Sequence, residues 1–164
     1  MIKPTFEAQR EGFLISTDPA RLQLETICQF LARSYWANDR PRQVIARSIE
    51  NSLCFGMYAR EKQIGFTRVV SDCATYAWVC DVFIHEDYRG HGLGKWLMSC
   101  VLAHPDLLTV KRWALATRDA HGLYRQFGFT PVQHPEKLME RIHPRPSEPL
   151  ALASPADGET SNRP

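Results

Sequence analysis

The segment from Asp81 to Lys95 constrains the fold most, because an apolar strand runs there into a glycine-rich turn that opens a helix. The turn holds three alternating glycines, Gly90, Gly92 and Gly94, beside Arg89. The helix is indicated by apolar residues at intervals of three and four, which are Leu93, Trp96, Leu97, Cys100 and Val101. Backbone N–H groups and the positive end of the helix dipole converge at such a turn and favour a phosphate. An isolated glycine pair would be explained by a tight turn, because glycine adopts backbone angles that other residues avoid. Three alternating glycines beside an arginine instead favour a phosphate loop.

The spacing of the turn excludes two common phosphate loops. A dinucleotide-binding turn that starts at the first glycine needs its third glycine where Lys95 stands. A nucleoside-triphosphate loop ending at Gly94 and Lys95 needs Ser or Thr next and glycine five residues before Gly94, where the chain has Trp96 and Arg89. The spacing instead matches Arg-x-x-Gly-x-Gly, carried by Arg89, Gly92 and Gly94.

This pattern resembles the acetyl-CoA loop of the GNAT superfamily of N-acetyltransferases. A second segment, from Ala120 to Phe129, is similar to that family's A-x-x-x-Y-x-x-x-G-F element, with Tyr124 at the tyrosine. Two separate motifs identify the chain as a member, and the resemblance covers about residues 13–142. One departure is Thr117, which stands where many members carry an Asn that contacts the cofactor.

Length and composition fit a single domain. The 164 residues suffice to bury a core, and 44% hydrophobic with 23% charged residues is ordinary for a globular protein. A net charge of +2 argues against a nucleic-acid partner, and the absence of a long apolar run or a signal peptide predicts no membrane partner and a cytoplasmic location. The five cysteines lack a C-x-x-C pair and are interpreted as reduced core residues; no histidine pattern indicates a metal. Monomer and homodimer both stay open.

The element pattern predicts an α/β (α+β) fold with a central, mostly antiparallel sheet of about six to seven strands and about four flanking helices. Helices are predicted at 20–33 and 41–51, after the glycine turn, and from Thr117 or Asp119 to Gly128. Strands are predicted at 53–59, 63–71, 76–84 and 112–116, with two final strands at 129–133 and 137–142. The resemblance implies that the mixed sheet is splayed, with the acyl thioester in the gap between two strands. Composition predicts a disordered tail at 144–164, which leaves one N-acetyltransferase domain over 1–143.

The resemblance also implies a reaction, in which an acetyl group passes from acetyl-CoA to a primary amine by direct attack in a ternary complex. It implies that Tyr124 protonates the leaving thiolate, although a tyrosine packed in the core is the alternative interpretation. Backbone N–H groups around Phe83 and Ile84 are expected to hold the thioester carbonyl, and those from Gly90 to Lys95 the pyrophosphate. The full expected cofactor set is Val82, Phe83, Ile84, Arg89, Gly90, His91, Gly92, Leu93, Gly94, Lys95 and Thr117.

The amine must lose a proton before it attacks, and Asp81 is the leading candidate base. It is a carboxylate within an apolar strand, and a buried carboxylate can accept a proton near neutral pH. Equally, Asp81 could hydrogen-bond neighbouring backbone or bind the substrate ammonium. Asp72 and His121 are weaker candidates, and many family members rely on ordered water instead.

The expected substrate wall comprises Tyr35, Trp36, Arg68, Tyr76 and Trp78. Aromatic residues with Asp81 suit an amine on an apolar or aromatic body, whereas Arg68 could hold a substrate carboxylate. Core packing is the alternative for Tyr76 and Trp78. The predicted function is acetylation of a small-molecule or amino-acid-like amine. A protein lysine or N-terminal acetyltransferase and a non-catalytic acyl-CoA-binding regulatory domain are the alternatives, and longer acyl donors stay open.

Overall fold

A computed structural model describes residues 4–143, which contain one six-stranded sheet and four α-helices. The strands follow the sheet in chain order: β1 (Glu7–Arg10), β2 (Phe13–Ser16), β3 (Leu53–Ala59), β4 (Lys62–Ser71), β5 (Tyr76–Ile84) and β6 (Arg112–Leu115). The helices are α1 (Leu24–Ala32), α2 (Arg42–Glu50), α3 (Leu93–Leu102) and α4 (His121–Arg125). Every neighbouring pair of strands is antiparallel except β5 and β6, which are parallel. The predicted α/β fold with a mostly antiparallel mixed sheet is thereby confirmed.

Helices cover both faces of the sheet. Ile84 packs in the cluster that contains the buried side chains of α3, such as Leu97 and Val101. Phe83 packs in the cluster built by α1 and α2, where its ring stacks on Phe30 at a centroid distance of 3.8 Å. Adjacent strand residues point to opposite faces, so α3 lies on one face of β5 and the α1–α2 pair on the other.

The two parallel strands part along their length, as predicted for a splayed sheet. Their ladder runs from the Tyr76–Arg112 pair to the Val79–Leu115 pair, where β6 ends. β5 continues to Ile84 and remains paired with β4 on its other side. Among residues 4–143, no strand pairs with the edge of β5 beyond Val79, and that edge faces a gap.

Two features at the ends of the chain differ from the sequence-based expectation. The β1–β2 hairpin was not predicted, although its two-residue turn, Glu11 and Gly12, has the positive φ angles of 51° and 83° that such hairpins require. The predicted strands at 129–133 and 137–142 are wrong, since residues 131–143 contain only a 3-10 turn at Pro135–Lys137. Pro131, within the first of these segments, has no N–H to donate to a strand ladder, which disfavours a strand there.

The compact unit that carries the sheet ends at Thr130. The predicted domain boundary at residue 143 stays a prediction, and the predicted tail at 144–164 lies outside the described residues.

All five cysteines are free thiols, as interpreted from the sequence, but only Cys54 and Cys100 are buried in the core, and the other three are partly exposed. Burial raises the pKa of the Cys54 thiol to about 12, so this group stays protonated at neutral pH.

Gly56 in β3 is required because the ring of Tyr58 occupies the space where its side chain would lie. A Cβ at position 56 would overlap Tyr58 Oη and would stand 2.6 Å from Cζ. Tyr58 is only 2% exposed and cannot swing away. We expect Gly56→Ala to lower the free energy of unfolding by about 2 kcal/mol, measured by urea denaturation.

Two further variants make this prediction specific. Gly122→Ala in α4 is the control, because a Cβ there meets nothing within 4 Å, and it should be neutral or slightly stabilising. In a Tyr58→Phe background, which removes the nearest atom, Gly56→Ala should cost less than in the wild type. Equal stability of Gly56→Ala and the control would contradict the packing described.

Candidate active site

A cavity of about 940 Å³ opens where β5 and β6 part. Its wall includes the parted end of β5, the glycine turn with the first turn of α3, the loop from β6 together with α4, the connection between α1 and α2, and Arg68 of β4. Most of the predicted site residues line this cavity, but His91 and Tyr76 are not among the lining residues. The lining includes the predicted residues Tyr35, Trp36, Arg68, Trp78, Asp81, Val82, Phe83, Ile84, Arg89, Gly90, Gly92, Leu93, Gly94, Lys95, Thr117 and Tyr124.

The glycine turn presents a helix N-terminus to the cavity. Gly90 and Gly92 have φ angles of 81° and 72°, which side-chain-bearing residues rarely adopt, and Gly92 caps α3. The first-turn N–H groups after Gly92 have no partner within the helix. Arg89 ties the turn to the end of β5, since its Nε donates to the carbonyl of Ile84 at 3.0 Å. His91 folds back, with Nδ1 at 2.9 Å from the Arg89 carbonyl oxygen.

Tyr124 lies in the first turn of α4 with its side chain against the cavity. It is 8% exposed, and its ring meets Phe129 edge-on at a centroid distance of 6.0 Å. Burial raises the pKa of Tyr124 to about 12, and the neighbouring Tyr35 and Asp119 add to the increase. The hydroxyl therefore keeps its proton throughout the neutral pH range, and it can act as a donor.

Asp81 is the centre of a buried charge cluster on the α1–α2 face of the sheet. Arg68 Nε donates to its Oδ2 at 2.6 Å, and Arg40 Nη1 donates to Oδ2 at 2.9 Å and to Oδ1 at 3.1 Å. Trp36 Nε1 donates to Oδ1 at 3.1 Å. The carboxylate thus accepts four hydrogen bonds from three side chains, and both of its oxygens are engaged.

The backbone at Asp81 is unusual as well. Its φ of 54° lies in the left-handed region, beside an irregularity in the β4–β5 register that follows the Phe66–Phe83 pair. Such a conformation costs free energy in a residue other than glycine, and it is maintained where surrounding contacts fix it. Here the hydrogen bonds to Arg40, Arg68 and Trp36 supply that fixation.

An aromatic contact joins the α1–α2 connection to the loop after β6. The Tyr35 hydroxyl accepts a hydrogen bond from the backbone N–H of Arg118 at 3.0 Å. The Arg118 guanidinium lies 3.8 Å from the centre of the Tyr35 ring, and Trp36 meets that ring edge-on at 5.0 Å. Trp78, 37% exposed, forms another part of the wall.

Three predicted residues lie elsewhere. Tyr76 is at the far end of β5, where Arg112 stands 5.9 Å from its ring centre. Asp72 shapes the β4–β5 turn, and hydrogen bonds from the Thr75 hydroxyl and from backbone N–H groups hold the pKa of its carboxyl below its usual range. His121 is exposed at the start of α4. Neither Asp72 nor His121 is among the residues that line the cavity.

Sequence reasoning missed Arg40 and Arg118, which both line the cavity. Arg40 closes the same short connection in which Tyr35 and Trp36 were predicted as wall residues, so extending that prediction to the end of the connection would have included it. Arg118 directly follows Thr117, and its role depends on a contact across 83 positions that leaves no local pattern.

Within residues 4–143, no helix is long and apolar enough to cross a membrane. The same part of the chain contains no cluster of three or more His, Cys, Asp or Glu side chains that would hold a metal ion.

Comparisons with known proteins agree on one family. The family model described as an acetyltransferase (GNAT) domain matches residues 50–131. A crystal structure from Xanthomonas campestris pv. campestris, described as an acetyltransferase of the GNAT family, is 44% identical with a TM-score of 0.79, and the match covers 83% of this chain and 96% of that one.

Two curated relatives point the same way. A protein of Gibberella zeae named as an acetyltransferase is 29% identical over 54% of this chain, and an uncharacterised N-acetyltransferase, ycf52, of Gracilaria tenuistipitata var. liui is 32% identical over 65%. The matches span only 62% and 59% of the length of these relatives.

Removal of the negative charge at Asp81 should destabilise the protein strongly. Asp81→Asn preserves the shape and the tolerance for positive φ, but it leaves Arg40 and Arg68 facing one another without a counter-charge. We expect the free energy of unfolding to fall by about 3 kcal/mol, measured by urea denaturation. Asp119→Asn is the matched control, because that carboxylate is 65% exposed and should contribute less than about 1 kcal/mol. Similar stabilities for the two variants would show that the cluster is not a structural centre.

Proposed function

The chain belongs to the GNAT superfamily of acetyltransferases, and we propose that it transfers an acetyl group from acetyl-CoA to the primary amine of a small molecule or amino-acid-like compound. One observation supports this most: a single cavity joins a glycine-capped helix N-terminus, the unpaired edge of β5 and a buried tyrosine hydroxyl. These are the three elements that acyl transfer from a bound thioester needs.

The cavity residues fit the cofactor. Acetyl-CoA supplies an acyl group activated as a thioester. The first-turn N–H groups of α3, with Arg89 and Lys95 at the cavity wall, suit the charge of a pyrophosphate. The N–H groups of Phe83 and Ile84 lie on the parted end of β5, and we propose that those facing the gap polarise the thioester carbonyl.

Tyr124 is proposed as the proton donor. As the C–N bond forms and the C–S bond breaks, the departing sulfur receives the phenolic proton, and the amine nitrogen releases one. The raised pKa of Tyr124 guarantees that the proton is present at neutral pH. A positioned acid of this kind contributes about 10² to 10⁴ in rate.

Asp81 is proposed as an anchor rather than the base. Its oxygens already accept hydrogen bonds from Arg40, Arg68 and Trp36, so a base role would require one of these bonds to break. The two guanidiniums themselves help the amine, because nearby positive charge disfavours its ammonium form. Water then carries the released proton from the open cavity.

The alternatives have less support. The contact between Tyr35 and Arg118 bridges two walls of the cavity, which suits a small acceptor better than a protein chain. A non-catalytic acyl-CoA-binding domain would have no use for a buried, protonated Tyr124 at the thioester gap. The cytoplasmic location is proposed on sequence grounds alone.

The experiment that tests this function combines a transfer assay with a Tyr124→Phe variant. Wild-type protein, acetyl-CoA and a panel of amines should release free CoA thiol together with acetylated amine. Tyr124→Phe should lower kcat about 10²-fold or more, because the hydroxyl proton is lost while the ring packing stays. The shift of Tm by acetyl-CoA and by CoA should persist in the variant, and NADH should give none.

The pH dependence adds an independent criterion. Because Tyr124 loses its proton only near pH 12, kcat of the wild type should not fall on that account between pH 7 and pH 10. Unchanged kcat in Tyr124→Phe at every pH would remove the residue as the acid. Absence of both a Tm shift and amine-dependent thiol release would contradict the proposed function altogether.

A further inference from the structure

We propose that the acceptor amine carries a carboxylate, and that Arg40 and Arg68, held side by side by Asp81, bind it. The inference rests on the proposed acetyl transfer and names the class of acceptor, an amino acid. Arg40 is thereby a specificity residue that the sequence analysis did not find.

The charge balance of the cluster favours an anion. Two guanidiniums share one carboxylate, so the cluster carries one surplus positive charge. The side chains of Arg40, Arg68 and Asp81 are 16%, 12% and 3% exposed, which withdraws that charge largely from water. A charge in such a place is costly unless a counter-ion pairs with it.

Both arginines of the cluster have N–H donors that their hydrogen bonds to Asp81 and Ser52 do not use. The contacts of Arg40 with Asp81 use Nη1 only. Arg68 uses Nε toward Asp81 and Nη1 toward the Ser52 hydroxyl at 3.3 Å. The Nη2 groups of both arginines take no part in these contacts, and both residues line the cavity. Guanidinium forks match the planar, two-oxygen geometry of a carboxylate.

Apart from Lys95, the other charged residues of the cavity are paired with one another. Glu86 lies 3.6 Å from Arg33 and 4.0 Å from Arg89, and Asp119 lies 3.9 Å from Arg118. These acids therefore have arginine partners of their own. Lys95, at the glycine turn, is on the segment proposed for the cofactor phosphates. The Arg40–Arg68 pair is a separate positive centre, on the wall formed by β4, β5 and the α1–α2 connection.

The arginine pair and the proposed carbonyl site lie close together along β5. Asp81 precedes Phe83, whose N–H is proposed at the thioester carbonyl, by two residues of a strand. Two strand residues span about 7 Å. The amine of an α-amino acid is one carbon away from its carboxylate, so a molecule bound at the arginine pair would direct its amine along β5 toward the acyl carbon. Trp36 and Trp78 flank this space with apolar surface.

The test compares matched acceptors in the transfer assay: α-amino acids, their primary carboxamides, and 1-aminophosphonic acids with the same side chains. The amine of the carboxamide is less basic than that of the amino acid and is more often neutral, so the intrinsic reactivity of the amine favours the carboxamide as acceptor. We expect the enzyme to prefer the amino acid, with kcat/KM at least about 10-fold higher than for the carboxamide because of a lower KM.

Arg40→Gln should remove most of this preference, raising KM for the amino acid at least about 10-fold and bringing the carboxylate-to-amide ratio toward one. It leaves Arg68 paired with Asp81, so the fold should persist, and Arg40→Lys should restore part of the preference. Arg112→Gln is the matched control, because Arg112 contacts Tyr76 outside the cavity and should leave the ratio unchanged.

A readout without turnover separates this proposal from the proposed function. With CoA bound, 3-phenylpropanoate, a carboxylate without an amine, should raise the Tm of wild type but not of Arg40→Gln. If that shift occurs while no amine is acetylated, acetyl transfer fails and the anion site stands. If amines are acetylated with no carboxylate preference, or Arg40→Gln leaves the ratio intact, the anion site fails and the transfer stands. A preference for the phosphonate over the carboxylate would overturn the assignment of an amino acid.

Discussion

The cavity exists because β5 extends beyond the end of β6, its parallel neighbour. Four residues of β5 pair with four residues of β6. Beyond the Val79–Leu115 pair, β6 ends, while β5 continues along β4. Within the described part of the chain, backbone groups on that edge of β5 lack a ladder partner, and unpaired backbone groups are costly unless something else binds them. The glycine turn and the helix N-terminus of α3 open onto the same gap. If the β5–β6 ladder continued to the end of β5, it would close the gap and remove the proposed site. The site therefore depends on the point at which β5 and β6 stop pairing.

A second feature gives the gap its chemical character. Asp81 organises Arg40, Arg68 and Trp36 around a left-handed backbone position, within a strand that is otherwise apolar. The cluster places positive charge on one wall, and Tyr124 places a neutral proton donor on another. The positive charge of the cluster favours a neutral amine attached to an anion, and the Tyr124 hydroxyl favours departure of a thiolate. The cluster thus acts on the acceptor, and Tyr124 acts on the leaving group.

Local patterns in the sequence predicted the elements that depend on local physics. The glycine spacing and the apolar periodicity after it located α3, and the alternating runs located β3, β4 and β5. Most predicted site residues lie on segments that meet at one cavity, while their individual roles stay proposals. The Arg40–Asp81 pair joins positions 41 apart and has no local signature, so the sequence left the base and anchoring roles of Asp81 open. The apolar residues after Phe129 are typical of strands, but Pro131 interrupts the first of the two segments.

A backbone amide NMR titration of the protein with acetyl-CoA tests directly where the cofactor binds. We expect the largest chemical-shift changes on Phe83 and Ile84, on the turn from Gly90 to Lys95 and on the loop around Thr117. Amides of the β1–β2 hairpin, which does not line the cavity, should stay unchanged. Changes confined to other surfaces, or none at saturating cofactor, would contradict the assignment of the gap between β5 and β6 as the site of acetyl transfer.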